Sequence, residues 1–501
     1  MSKSKRLSPI VTIYCLLVFG FFFVWFTQIH PLTVFDVDDW AYIHYTRRAV
    51  PVWKYWNPSR IFPEIFMPLC SALAARLAYP LLGNYLRAMV FTHGFVISAF
   101  LTLYIWSFTQ MMRRLFRLST AGALFSSALF LVAHFIIFRT GITGNTYLFY
   151  CWDLTCYYYY IIPAAVNASL VMWIIGNPAF FASLKSASPG TVGLFLLLLY
   201  LVVFSNLPDS GILAVYAGSV LLLNGLELLK RKVNLQAFIR DNFFFVGVLC
   251  VWLFSAVLEL CGGRAHTFSG PRVSLLNKLA ETARGFASLA TRCNWVILSV
   301  CVLIVGTTLI LLVRSRGDTE EDRSFRKHFS ACLVAVAAMA VYTLVLCTAV
   351  EPSYIYRSEY LFALFFFLLM TVMLCFGYLV QKLPKVLYIV PIGLCVLFCE
   401  CNTPGVTYLE SNYSNLNPAI CNEIMQDLID EILLADEKGL SEITLEIPMC
   451  DDYRGWPLMP EFLGPRMAGS LLEHGLLRRE ITVNTVPSME ANWRYSLPVL
   501  E

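Results

Sequence analysis

Apolar stretches of roughly 18–22 residues recur along this chain, each the length a helix needs to cross a hydrocarbon core of about 30 Å. Lipid offers backbone groups no hydrogen-bond partner, so a run of this kind is restricted to a helix that satisfies its own N–H and C=O groups. Composition agrees. Of 501 residues, 58% are hydrophobic and 14% charged, where soluble domains carry about 25% charged residues. The first run, Pro9–Ile29, follows Lys3, Lys5 and Arg6. It is too long for a signal peptide, and no small-x-small cleavage pattern precedes His30 and Pro31, so it reads as a retained signal anchor. Further runs fall near 88–111, 120–138, 156–176, 190–206, 211–229, 243–261, 293–313, 329–350, 359–380 and 385–401. Pro63–Leu82 is apolar too, but Glu64, Arg76 and further prolines interrupt it, and it is expected to be juxtamembrane or re-entrant. The expected fold is an all-α polytopic bundle of about eleven transmembrane helices.

Basic residues orient the bundle. Alternate loops hold Arg113, Arg114 and Arg117, then Lys185, then Lys230–Lys232 with Arg240, then Arg314 to Lys327, then Lys382 and Lys385. Cytoplasmic loops gather Lys and Arg, and all five join the basic N-terminus on one side. The C-terminus is then outside. The first external loop, 30–87, breaks the asymmetry with Arg47, Arg48 and Arg60, as long translocated loops do. Two domains are expected, a transmembrane part over 1–401 and a small extracytoplasmic α/β part over 402–501. In the latter, Asn417–Lys438 has helical spacing, Ser441–Ile447 alternates like a strand, Pro465–His474 suggests a second helix and Ile481–Val486 a second strand. It has no GxGxxG loop, which leaves a nucleotide site without support. Its expected role is to dock on, or cover, the membrane part. Most of the 16 Cys lie in apolar runs and read as small fillers. Cys421 and Cys450 lie in the tail, where an oxidising compartment would permit pairing.

The sharpest chemical signal is Phe35-Asp36-Val37-Asp38-Asp39-Trp40, just past the first span. Three carboxylates this close repel one another unless cations, donors or water relieve them. They suit a general base acting on a hydroxyl or oxygen ligands for a divalent metal. They equally suit an Asp N-cap opening a helix over Trp40–Arg47 with its neighbours solvated. Arg47, Arg48, Trp56 and Arg60 follow, a mixture fit for an anionic headgroup or for an interfacial belt with snorkelling cations. Other external candidates are Asp209, which also suits a helix cap, and Tyr354 and Arg357, the latter able to bind phosphate or to pair with Glu351 or Glu359. Asp153, ahead of the run Tyr157–Tyr160, suits the wall of a sugar groove, and Arg264 lies in a Gly-rich stretch. Glu259, near a span end, is expected to face protein or water.

With its many spans, acidic DVDDW segment in the first long external loop and soluble C-terminal part, the chain resembles the GT-C class of membrane glycosyltransferases. The resemblance covers the plan of the whole chain, and DVDDW is its one specific motif. It implies a polyprenyl-phosphate-linked sugar donor, a glycan or lipid acceptor, and work at the outer leaflet. It places the catalytic or metal-binding acid on Asp36, Asp38 or Asp39, with Asp38 and Asp39 preferred, and a possible Mg or Mn on the same three. Bacterial enzymes that decorate surface glycans are the nearest look-alikes, so a bacterial plasma membrane is expected. No WWDYG-like motif is present, which argues against peptide glycosylation. No nucleic-acid partner is expected. Two rival readings are a transporter or lipid-sugar flippase and a non-catalytic scaffold. The first predicts repeats and mid-span charges that are nearly absent, and the second leaves the charged external loop without a purpose.

Overall fold

The computed structural model describes residues 9–46, 59–140, 144–151, 153–178, 180, 187–231, 234–262, 274–315, 319–401, 407–408, 417–449, 456–457 and 459–497. Among them, nine helices are long and apolar enough to cross a membrane. They are Pro9–Ile29, Phe62–Leu82, Tyr85–Leu115, Leu154–Gly176, Leu207–Leu228, Phe243–Leu260, Trp295–Arg314, Glu320–Ala349 and Phe362–Lys382. Shorter apolar helices cover Thr120–Ile136, Pro189–Val203 and Pro384–Val396. This is a helical, multi-pass membrane architecture.

Helices that are apolar on every side sort by depth in the bundle. Leu154–Gly176 and Phe362–Lys382 are buried almost throughout, whereas Trp295–Arg314 is almost all surface. An apolar helix with no protein around it finds its partner in lipid. The core is rich in aromatic rings: Phe108 stacks on Phe130 at 4.1 Å, and His134 stacks on Phe149 at 4.7 Å. Asn167, within an NAS triplet, is buried and donates to the carbonyls of Pro163 and Val202.

Phe62–Leu82 is one continuous helix despite its prolines: Pro63 lies in the first turn, where no N–H is needed, and Pro68 follows just after the π turn Phe62–Phe66. It turns at Gly83, in the left-handed region, and packs antiparallel on Tyr85–Leu115. Phe62 meets Phe100, Ser71 meets His93, and Tyr79 meets Tyr85. Its outer stripe, Leu69, Leu73, Leu77 and Leu81, is exposed at four-residue spacing. The short helix Val37–Tyr42 meets its neighbours through two aromatic rings. Trp40 stacks on Tyr85, while Tyr42 packs on Tyr159, over which Arg60 lies.

The C-terminal residues form a β-α-β unit. Strands Glu442–Pro448 and Thr482–Ser488 pair in parallel, joined through the helix Pro460–Glu473, as a parallel pair requires. Gly464 lets that helix lie on the second strand, since a Cβ there would come within 2.5 Å of the Val483 carbonyl oxygen. Pro418–Glu437 packs alongside, its helix capped by Asn417, and a final helix covers Met489–Arg494. The unit docks on the first loop. Trp456 Nε1 donates to the Phe35 carbonyl at 2.7 Å, Ser470 Oγ donates to that of Trp40, and Asn422 donates to that of Leu32 at 2.8 Å. Cys421 is buried beneath this contact, while Cys450 lies outside the described residues. A small sheet not expected from the sequence joins the hairpin Phe138–Thr140/Gly144–Thr146 to Thr407–Tyr408.

Candidate functional site

The three acidic side chains of the DVDDW segment have three different surroundings. Asp36 is the N-cap of Val37–Tyr42, its Oδ1 accepting the N–H groups of Asp38 at 2.9 Å and Asp39 at 3.1 Å. Burial, followed by the carboxylates of Asp153, Asp39 and Asp38, pushes its pKa well up. Asp39 is wholly buried. Its Oδ2 accepts from Phe35 N at 2.7 Å and Leu154 N at 2.9 Å, and its Oδ1 from Thr155 N at 2.6 Å. Burial pushes Asp39 up, and these donors pull against it. Asp38 alone is exposed, and it lines a cavity of about 270 Å³.

Asp39 caps a helix to which it does not belong. The first N–H groups of Leu154–Gly176 have no partner within the helix. Asp153 stands in the N-cap position, yet its side chain makes no cap bond. With the capping done by Asp39, the Asp153 carboxylate is turned to the cavity that Asp38 lines. Burial and then the Asp39 charge push Asp153 up, against the pull of Arg357.

Two arginines complete this cavity. Arg60 gives Nε to Glu259 Oε1 at 2.8 Å and contacts the same oxygen through Nη2, while Ser59 Oγ donates to Glu259 Oε2 at 2.7 Å. Arg357 gives Nε to Glu359 Oε1 at 2.5 Å. Each guanidinium also lies over aromatic rings, Arg60 over Tyr159 at 5.1 Å and Arg357 over Tyr354 at 5.3 Å and Tyr160 at 5.6 Å. Tyr42, Tyr360 and Asn206 contribute further wall. The backbone has π-helical turns on both flanks, over Phe62–Phe66 and Tyr157–Ile161, a local geometry frequent at functional sites.

The structure therefore gathers Asp38, Arg60, and the pair Tyr354 and Arg357 from three separate stretches of chain. Asp36 and Asp39 stand behind the wall. Asp209 is buried at the start of Leu207–Arg231, with Asn206 Nδ2 donating to it at 3.4 Å. Arg47, Arg48, Trp56 and Arg264 lie outside the described residues. Tyr160, from the run that follows Asp153, lines the cavity, as does Tyr360, to which the sequence reading gave no role.

A divalent metal does not fit the acidic segment. One oxygen of Asp36 and both of Asp39 accept backbone N–H groups, and among the described residues no three His, Cys, Asp or Glu side chains gather for an ion. Comparisons with protein-family models, curated proteins and solved structures find no match.

Proposed function

We propose that this chain is a membrane glycosyltransferase that moves a sugar from a polyprenyl-phosphate-linked donor to a glycan or lipid acceptor. The carrying observation is one cavity that combines two glutamate-held arginines, Arg60 and Arg357, with the carboxylates of Asp38 and Asp153. The glutamates fix the guanidinium planes at the cavity wall, where two cations on one cavity suit a phosphate. Tyrosine faces flank them, a surface on which a sugar ring packs well. In this reading Asp38 takes the proton of the acceptor hydroxyl as its oxygen bonds to the anomeric carbon. The bond from that carbon to the lipid phosphate breaks, and the phosphate leaves with the electron pair toward Arg60 and Arg357. One displacement of this kind inverts the anomeric centre.

The matching topology has eleven crossings, N-terminus in and C-terminus out, in a bacterial plasma membrane. In this topology Phe62–Leu82, though long enough to cross, dips into the outer face without crossing. The C-terminal unit becomes an external brace on the loop that carries Asp38.

The test has two arms. Mass spectrometry of lipid-linked and surface glycans in deletion and wild-type cells should reveal a missing sugar. Complementation by Asp38→Asn, expressed to the same level, should fail to restore it. Unchanged glycans on deletion, or full rescue by Asp38→Asn, would overturn the proposal.

A further inference from the structure

A second cavity, of about 200 Å³, lies at the opposite end of the helices that form the first. The first is bounded by Tyr160, Pro208, Glu259 and Leu346, the second by Ile174, Val220, Asn242 and Ala331. Both therefore sit between Leu154–Gly176, Leu207–Leu228, Phe243–Leu260 and Glu320–Ala349. At 1.5 Å per residue they are roughly 20–25 Å apart along these helices. Ile212, Leu213, Ala217 and Met339, all fully buried, fill the space between.

The second cavity is divided by chemistry. Ile174, Val220, Leu223 and Phe245 make an apolar cleft, while Asp241, Lys327 and His328 stand with Asn224 and Asn242. Asn224 Nδ2 donates to Asn242 Oδ1 at 2.7 Å, which fixes one polar wall. Asp241 pairs with Arg240 at 3.4 Å, but both are exposed, and such a pair is worth little. Exchanging it for a ligand cation is therefore nearly free of cost. Beside the cavity, the helix Leu235–Asp241 runs into Phe243, and Leu235, Ile239 and Phe243 are exposed at four-residue spacing. That apolar stripe next to Arg240 and Asp241 is the pattern of a segment lying at a membrane surface.

We infer that this cavity holds a phospholipid whose headgroup carries both a phosphate and a primary ammonium. The phosphate pairs with Lys327 beside His328, the ammonium with Asp241, and the start of one acyl chain fills the cleft between Val220 and Phe245. Acid and base at one mouth match a zwitterion, whereas a lipid whose headgroup lacks a cation offers Asp241 nothing to pair with. The ammonium can donate hydrogen bonds to a carboxylate, which a quaternary amine cannot. The site is independent of the chemistry at the other end of the bundle.

The full-length protein in detergent, examined by native mass spectrometry, tests this. Phosphatidylethanolamine, phosphatidylcholine and phosphatidylglycerol of matched chains would be offered at equal concentration. The ethanolamine lipid should be retained in preference. Lys327→Met should lower its retention about tenfold. Asp241→Asn, at an exposed position, should abolish the preference over phosphatidylglycerol while leaving the melting temperature unchanged. Equal retention of all three lipids by wild type would overturn the inference, as would a preference that survives Asp241→Asn. Displacement by glycerophosphoethanolamine, the headgroup without chains, would overturn the lipid as occupant.

Discussion

The carboxylate of Asp39 accepts the backbone N–H of Thr155 at 2.6 Å, across 116 residues of sequence. With Leu154 and Phe35 as its other donors, one side chain ties the first external loop to the central helix. Asp39→Ala leaves three buried N–H groups without an acceptor and should cost about 3–5 kcal/mol. Asp38→Asn, at the exposed neighbour, should change stability by less than about 0.5 kcal/mol. Thermal unfolding of both variants in detergent checks this. An Asp39→Ala protein that melts like wild type would refute the stapling role.

Arg60 and Glu259 form a second long-range tie, 199 residues apart and largely shielded from water. Removing one partner strands the other, at a cost of about 3–5 kcal/mol. Losing both should cost clearly less than the sum of the single changes. A double-mutant cycle with Arg60→Met and Glu259→Gln measures the coupling, and additive effects would show that the pair is not energetically linked.

The C-terminal unit is held partly by Trp456, whose indole N–H reaches the Phe35 carbonyl. Trp456→Phe keeps most of the packing and loses that bond, so about 1–2 kcal/mol of local stability should go. Hydrogen exchange should then quicken in Leu32–Trp40 and in the tail, with the distant Trp295–Arg314 helix unaffected. Uniform quickening would point to global unfolding and not to undocking.

Docking should weaken in acid. Tyr85 Oη and His474 Nδ1 lie 2.6 Å apart, and burial, then the neighbouring His44 and Arg76, pulls the His474 pKa down to about 4. Burial lowers His44 as well, while its hydrogen bond with the Trp40 carbonyl and the charge of Glu473 raise it and Arg466 lowers it further. An unfolded histidine titrates near 6.5, so between about 6.5 and 4 the unfolded chain binds more protons and stability falls as pH falls. Melting temperatures from pH 7.5 to 5 should drop accordingly, and His474→Gln should flatten the slope. An unchanged slope in that variant would exclude His474 as its source.

Much of the scaffold was legible from residue order alone. Lipid leaves a spanning segment one way to satisfy its backbone, so apolar length marked where helices form. However, the runs near 120–138, 190–206 and 385–401 gave helices shorter than a span, while Phe62–Leu82, expected not to cross, is long enough to do so. In the tail, Ile443, Leu445 and Ile447 alternate because successive strand residues face opposite sides, and the strand formed at Glu442–Pro448. The helix expected at Pro465–His474 begins earlier, at Pro460, a residue suited to the first turn, and carries Pro465 inside it. Met489–Arg494 is too short to leave a periodic trace.

The roles within the acidic segment were a different matter. The residue string Asp36-Val37-Asp38-Asp39 suggested a helix start but placed it at Trp40, whereas Asp36, bonding to the N–H groups two and three residues on, opens the helix at Val37. It could not rank Asp38 above Asp39. Neighbouring residues on a helix point about 100° apart, and which direction is cavity and which is core depends on what packs there. That was decided by Leu154 and Thr155, whose N–H groups claim Asp39 and leave Asp153 turned to the same cavity as Asp38. Glu259 and Glu359 were likewise visible as charges near span ends, but only the folded bundle sets Glu259 against Arg60 and brings both arginines to one cavity. Local composition determines what a segment can be, whereas partners 100 to 200 residues away determine what each of its side chains is left free to do.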